Sequence, residues 1–300
     1  MEFIGIDIGA TKTAFRYLSA NGAERDTVVR WSAGQDDIEV LRGGLREAVG
    51  GRRPLAAGVA VPASLDAAGR VVAWPNRPHW RGVDLRAVLR ADLTGASVCF
   101  GDDGDLATLA EARQAGGRDL LYVGVGTGVG GGLFLAGDLL RSPHGPVAEI
   151  GHVVVVPNGP LCQCGRQGCL QAVASGPAML RWAEHIEPTV TDARMLRAEV
   201  HAGVPWAQRA VHRSAHALAT AVVTVAELVR PELVRLGGGF MAALPELATA
   251  TASAVRALGR PGFSAPVVEP AAYGGMSSLA GAVLVARHPE LTQRYESLAG

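Results

Sequence analysis

Lysine is almost absent from this chain of 300 residues: Lys12 stands alone against 27 arginines. A sequence that takes Arg at every other long basic position gives its one Lys a role to look for. Neither sign of charge is in surplus, with 28 basic and 28 acidic residues and a formal net charge of zero, so bulk charge favours neither nucleic acid nor an anionic membrane as a partner. No stretch reaches the ~18 uninterrupted apolar residues of a membrane span. The opening MEFIGIDIG has no basic region ahead of an apolar run, unlike a secretory signal. The protein is therefore expected to be cytoplasmic. Cysteine is scarce too, and four residues are too few for the disulfide framework of a small secreted fold. Single hydrophobic cores stop growing near this length, which predicts roughly two domains.

Three of the four cysteines fall within one stretch, EIGHVVVVPNGPLCQCGRQGCLQ, residues 149–171. His152, Cys162, Cys164 and Cys169 make the spacing H-x9-C-x-C-x4-C, one complete set of four zinc ligands. Four protein ligands leave zinc no open position for water, so a structural ion is expected rather than a catalytic one. Gly159, Gly165 and Gly168, with Pro157 and Pro160, supply the turns that wrap a short loop round an ion. The competing reading is one disulfide plus a spare thiol, which the odd count in the cluster disfavours.

Along the chain, residues 2–8 (EFIGIDI) read as a buried strand running into Gly9, Ala10, Thr11 and Lys12, with TAFRYL as a return strand. Such a turn offers backbone N–H groups, a hydroxyl and a cation to a phosphate, and Asp7 would face the accompanying metal ion; an ordinary hairpin is the alternative. Residues 36–49 read as a helix capped at Asp36 or Asp37, and 55–61 as a buried strand closed by Pro62. The segment VVAWPNRPHW is too rich in Pro for a central strand and places Asn76 on a loop. Residues 97–101 form a short strand leading to Asp102, Asp103 and Asp105. Carboxylates at such strand ends suit ligand binding and general base work, while capping of a following helix suits Asp105 best.

Residues 119–137 (DLLYVGVGTGVGGGLFLAG) repeat the logic of the N-terminus: strand, Gly-Thr-Gly turn, strand. GTGVGG satisfies G-x-G-x-x-G in form, but no helix follows, so a dinucleotide fold is rejected. The two strand–turn–strand units suggest a duplicated fold gripping one triphosphate. Further on, helices are expected from Ser175 to about His185, over 191–202, over 206–229, and from about Ser277 to Arg287. Between the last two, a strand ELVRL ends in Gly237, Gly238 and Gly239, where a flat ligand such as adenine could approach the backbone.

With these motifs in order (DIGATKT, VAVPASLDAAG with WPN, DDGDLATLAE, GVGTGVGGG, EIGH, CQCGRQGCLQ and LGGGF), the chain resembles the ROK family of sugar kinases and sugar-responsive regulators over nearly its whole length. EIGH with the cysteine cluster is the specific part. The resemblance implies an α/β fold of the actin-like ATPase (ribonuclease H-like) type, with two domains and a cleft between them. The expected division is 1–117 for an N-terminal domain, on which the C-terminal segment of about 277–300 packs back, and 118–276 for a larger domain carrying the zinc loop. The resemblance also implies ATP, Mg²⁺ and structural Zn²⁺ as cofactors, and commonly a homodimer or homotetramer.

By position, Asp7, Gly9, Thr11 and Lys12 match the family's first phosphate turn and Gly126, Thr127 and Gly128 the second, while Gly238 and Gly239 match the adenosine site. Asp103 matches the catalytic base, and Asn76, Glu149 and His152 match positions associated with the sugar. The family usually has Asn and Glu where this chain has Asp102 and Gln171. An ionised Asp only accepts hydrogen bonds where Asn also donates, and Gln adds a donor where Glu had a charge. If both line the pocket, plain glucose is disfavoured and an amino sugar or a sugar-like cyclitol is at least as plausible an acceptor. The expected function is an ATP-dependent kinase acting on a hydroxyl of a hexose or sugar-like small molecule. A sugar-sensing regulator would carry a DNA-binding domain ahead of the sugar domain, and with the DIG turn at residue 7 there is no room for one; a binding protein without turnover is the remaining alternative from another class.

Overall fold

The computed structural model describes residues 1–32, 34–142 and 147–291. Their elements run in chain order as β1 (Phe3–Ile8), β2 (Lys12–Leu18), β3 (Glu24–Arg30), α1 (Asp37–Val49), β4 (Ala56–Ala60), β5 (Ser64–Leu65), β6 (Val71–Ala73), α2 (Leu85–Asp92), β7 (Ser97–Gly101) and α3 (Asp103–Gln114). There follow β8 (Leu120–Val125), β9 (Val129–Leu135), β10 (Asp138–Leu139), α4 (Leu170–Ala174), α5 (Gly176–Glu184), α6 (Ala193–His201) and α7 (Pro205–Val229). The chain then forms β11 (Leu233–Gly237), α8 (Gly239–Ala243), α9 (Glu246–Ala257), β12 (Val267–Pro270) and α10 (Ser277–Arg287).

Two compact units emerge. Residues 1–110 with the described parts of 142–145 and 278–300 form one, and residues 111–141 with the described part of 146–277 form the other. Residues 292–300 of the expected C-terminal segment lie outside the described residues. In the first unit the sheet order is β3-β2-β1-β4-β7, with β1 antiparallel to β2 and parallel to β4. In the second it is β10-β9-β8-β11-β12, with β8 antiparallel to β9 and parallel to β11. The orders are the same when each sheet is counted from its own first strand, so the repeat suggested by the two glycine turns is a repeat of topology.

Continuous apolar runs explain the inner strands. Ile4, Ile6 and Ile8 of β1 and Val59 of β4 are fully buried, joined by Leu41 and Leu45 from α1. In the second unit Leu121, Val123 and Val125 of β8 share a core with Leu218, Ala219 and Val222 of α7, whose small residues let a long helix lie close to its neighbours. The backbone of α10 lies on β1 and β4 across Gly5 and Gly58. Several elements escape the sequence reading, among them the two outer strands β3, whose ERDTVVR is charged and largely exposed as suits a sheet edge, and β12, and the helices α2, α4, α8 and α9. No helix among the described residues is long and apolar enough to cross a membrane.

Candidate active site and metal centre

In the first unit β1 delivers Asp7 and then turns at Gly9, whose N–H donates to the carbonyl of Lys12 at 2.9 Å before β2 begins. Thr11 is exposed at the tip and Lys12 is half-buried. Burial pushes the Asp7 carboxyl up to about 6, with the Lys12 cation working the other way. A carboxylate so deprived of water is suited to meeting a cation. In the second unit a glycine turn stands at the same place, one residue tighter: Gly126 donates to Gly128 at 2.9 Å, Thr127 is exposed, and the carbonyl of Gly126 accepts from Gly176 at 2.9 Å.

At the carboxyl end of β7, Asp102 rather than Asp105 caps the helix. Its Oδ1 accepts from the N–H groups of Gly104 at 2.9 Å and Asp105 at 3.3 Å, and its carbonyl from Leu106 at 3.0 Å. The expectation that Asp105 would cap is corrected: α3 begins at Asp103, three residues earlier than a cap at Asp105 would place it, which puts both the cap and the first helical residue among the three acids. Asp103 thus stands in the first turn of the helix, where the positive end of its dipole favours a carboxylate. Asn76 is exposed on the loop after β6.

Glu149 is exposed beside a short 3₁₀ turn at Ile150–His152. Gly151 in that turn has no room for a side chain, since a Cβ there would lie 2.0 Å from the carbonyl oxygen of Val129 in β9. The close approach seats the EIGH turn directly against the strand that leaves the second glycine turn. From His152 the chain reaches the cysteines through a compact knuckle: Cys162 N–H donates to Arg166 at 2.8 Å, Gly165 to Cys162 at 2.9 Å, and Leu170 to Val153 at 2.8 Å.

The ligand atoms of His152, Cys162, Cys164 and Cys169 all lie within 4.8 Å of one another. Cys164 and Cys169 sulfurs are 3.7 Å apart and Cys162 Sγ is 3.8 Å from His152 Nδ1. A tetrahedron with metal–sulfur bonds of ~2.3 Å has edges of ~3.8 Å, so the spacing suits four ligands of one ion. A disulfide needs ~2.05 Å; all three thiols are free, which removes that alternative. Burial opposes a thiolate at Cys162, but the backbone N–H of Cys164 and the amide of Gln171 outweigh it and bring the thiol down to about 6. Cys169, buried and facing the other two sulfurs, is pushed up to about 12. Three thiolates this close need a cation among them.

Gln171 donates its Nε2 to Cys162 Sγ at 3.2 Å, and its Oε1 faces Gly128, 3.2 Å from where a Cβ would stand. One amide therefore links the sulfur cluster to the second glycine turn, a contact the spacing of residues did not suggest. Gly238 follows β11 at φ +90°, and a Cβ on it would lie 2.5 Å from the carbonyl of Val125. Its lack of a side chain is thus already required by packing against β8, whereas Gly239 faces open space. Glu111, fully buried, holds the segment beside these glycines by accepting from Ala272 and Tyr273 N–H groups at 2.9 and 3.1 Å and from the Ser277 hydroxyl at 2.7 Å. No pattern in the sequence marks Glu111, nor Arg77, which follows Asn76 in a Pro-rich loop.

The ROK family model matches residues 3–288 of the chain. The kanosamine kinase of Amycolatopsis mediterranei is 47% identical over 291 residues, covering 94% of this chain and 95% of that protein. Among solved structures, a ROK hexokinase from Thermus thermophilus superposes with a TM-score of 0.78 at 32% identity, covering 97% of this chain and 99% of its own. A ROK family glucokinase from Streptomyces griseus, solved in complex with glucose and AMPPNP, gives a TM-score of 0.81 at 25% identity over 96% of this chain and all of the other. The chain belongs to the ROK family, with the two-domain, actin-like ATPase fold of its sugar kinases.

Proposed function

We propose that the protein is an ATP-dependent carbohydrate kinase that transfers the γ-phosphoryl group to a hydroxyl of a sugar, with an amino sugar as the preferred acceptor. The observation that carries the kinase reading is the recurrence of one glycine–hydroxyl turn at the same place in two sheets of the same topology. The kinases named among the relatives support it. Asp103 is the base: it lies at the carboxyl end of β7, in the unit that carries the first turn. Because phosphoryl transfer is loose, alignment and charge neutralisation supply most of the acceleration, and Asp103 accepts the hydroxyl proton late. The N–H groups of both turns, Thr11, Thr127 and Lys12 receive phosphate oxygens. Magnesium, held near Asp7, would neutralise charge between the phosphates. Asn76 and Glu149 hold sugar hydroxyls, and Gly239 faces adenosine.

The Cys₃His set fits zinc, held by His152, Cys162, Cys164 and Cys169 in a closed structural site. Its part in the reaction is to fix the turn that carries Glu149.

Preference for an amino sugar has two supports. The relative at 47% identity is named for an amino sugar. In this chain an acid, Asp102, precedes the base; unlike an Asn, it offers no N–H that would face an ammonium group and adds a charge that attracts one. ADP release with MgATP over glucose, mannose, N-acetylated and free amino sugars and seven-carbon cyclitols tests both claims. The highest kcat/KM is expected with a free amino sugar. An equal or better rate with glucose refutes the preference, and silence over the whole panel refutes the kinase.

A further inference from the structure

One buried basic side chain stands apart from the groups assigned to chemistry. Arg77 follows Asn76 and is only 8% exposed. Its guanidinium donates twice to the carbonyl oxygen of Ala10, at 2.9 Å from Nη2 and 3.2 Å from Nε. It pairs with Asp37 and lies 4.4 Å over the ring of Trp31. Trp31 in turn donates its Nε1 to the carbonyl of Gly9 at 2.8 Å and its backbone N–H to that of Thr11 at 3.2 Å. With the Gly9 N–H on Lys12, four successive carbonyls of the turn, from Gly9 to Lys12, are taken by protein donors.

The other side of the same peptide groups behaves oppositely. Across a trans peptide bond the C=O and N–H point in opposite directions, and the described chain has no cis bond. Holding the Gly9 carbonyl therefore turns the Ala10 N–H away from Trp31, and holding the Ala10 carbonyl turns the Thr11 N–H away from Arg77. Neither N–H has a protein acceptor among the described residues. Two adjacent outward donors at an exposed tip are what a phosphate oxygen requires.

We propose that Arg77 and Trp31 are positioning residues for the nucleotide: together they fix two peptide planes of the first glycine turn so that the Ala10 and Thr11 N–H groups meet a phosphate. Asp37 fixes Arg77 in turn, and itself accepts from Trp80 Nε1 at 2.9 Å and lies 2.7 Å from His79 Nε2. Arg is needed rather than Lys, because only a planar fork can donate twice to one oxygen, pair with a carboxylate and stack on an indole at once. The inference rests on the kinase reading of the turn and adds which side chains set it.

Calorimetric binding of MgADP to wild type, Trp31→Phe and Arg77→Lys, with KM for both substrates, tests it. Phe keeps a ring beneath Arg77 but has no N–H for Gly9, and Lys keeps charge towards Asp37 without the fork. Expected are a five- to tenfold loss of MgADP affinity, a similar rise in the MgATP KM, and an acceptor KM within about twofold of wild type. Melting temperatures should stay within ~3 °C of wild type for Trp31→Phe. Variants that bind MgADP as tightly as wild type overturn the inference and leave the kinase reading standing. So does an equal rise in both KM values with a large fall in melting temperature, which would make the pair general structural supports. A wild type that binds no MgADP overturns both.

Discussion

Asp7→Asn should make the protein more stable and less able to use nucleotide. Folding withdraws water from the Asp7 carboxyl and raises it from 3.8 to about 6, with Lys12 only partly opposing the change. No described residue donates a hydrogen bond to it. A group raised in this way costs the folded state stability: the cost is complete above the folded value and disappears below the unfolded one. At pH 7.5 it amounts to about 3 kcal/mol, and at pH 5 to roughly half of that, because the folded protein by then carries most of the proton.

Asn has the same shape and no charge, so the substitution removes this cost, in which the attraction of Lys12 is already counted. The expected gain is about 2–3 kcal/mol at pH 7.5, a rise in melting temperature of several degrees, falling to about half at pH 5. Melting curves of the two proteins at matched pH measure it, and any acid effect on the metal centre cancels in the comparison. MgATP turnover should drop by at least ~10²-fold, since the carboxylate facing the cation is gone. An Asp7→Asn variant no more stable than wild type at pH 7.5, or one whose gain is the same at both pH values, would show that burial of this charge is not what strains the site.

Asp103→Asn should lower kcat by ~10²–10⁴-fold while MgADP binding stays within about threefold, as rapid-mixing kinetics and calorimetry would show; retained turnover would mean another base. Gln171→Leu removes the donor to the Cys162 sulfur, and release of zinc to a chromogenic chelator should quicken by ~10-fold without change in the circular dichroism of the fold. Stripping zinc from the wild type should abolish sugar binding in equilibrium dialysis and spare MgADP binding; a metal-free sample with full sugar affinity refutes the supporting role given to the metal loop.

Much of the scaffold was legible because it is written in uniform signals. EFIGIDI, LAAGVAV and LLYVGV are runs that only a doubly covered strand can bury, and PWAQRAVHRSAHALATAVVTVAELV keeps a helical stripe over its 25 residues. The Cys₃His cluster was legible because ligand chemistry restricts both residue type and spacing. What failed to show were elements whose reason is tertiary. The edge strand β3 exists because β2 offers it a full register from Lys12–Arg30 to Leu18–Glu24, and only Val28 and Val29 in its ERDTVVR are apolar. Cap assignment failed by proximity: three acids stand within four residues, any of them a good cap, and the choice of Asp102 follows from where β7 ends. Arg77 was hidden for the same reason, since a guanidinium in a Pro-rich loop reads as solvated until the loop is seen to return to residue 10.

The repeat carries a further lesson in its asymmetry. Counting back from each glycine turn, Asp7 in β1 stands where Gly124 stands in β8, and Lys12 has no basic counterpart beside Thr127 and Gly128. The two sheets share a topology, but the charged groups sit only on the first turn, while the second offers N–H groups and a hydroxyl. A neutral cradle can be built from backbone alone and needs only glycines where strands approach closely. Placing a carboxylate and a cation on one turn instead requires burial that strains the carboxylate and an Arg77–Trp31 brace that keeps the turn in one conformation. It is therefore the first turn that should respond to pH and to single substitutions, and the second that should tolerate them.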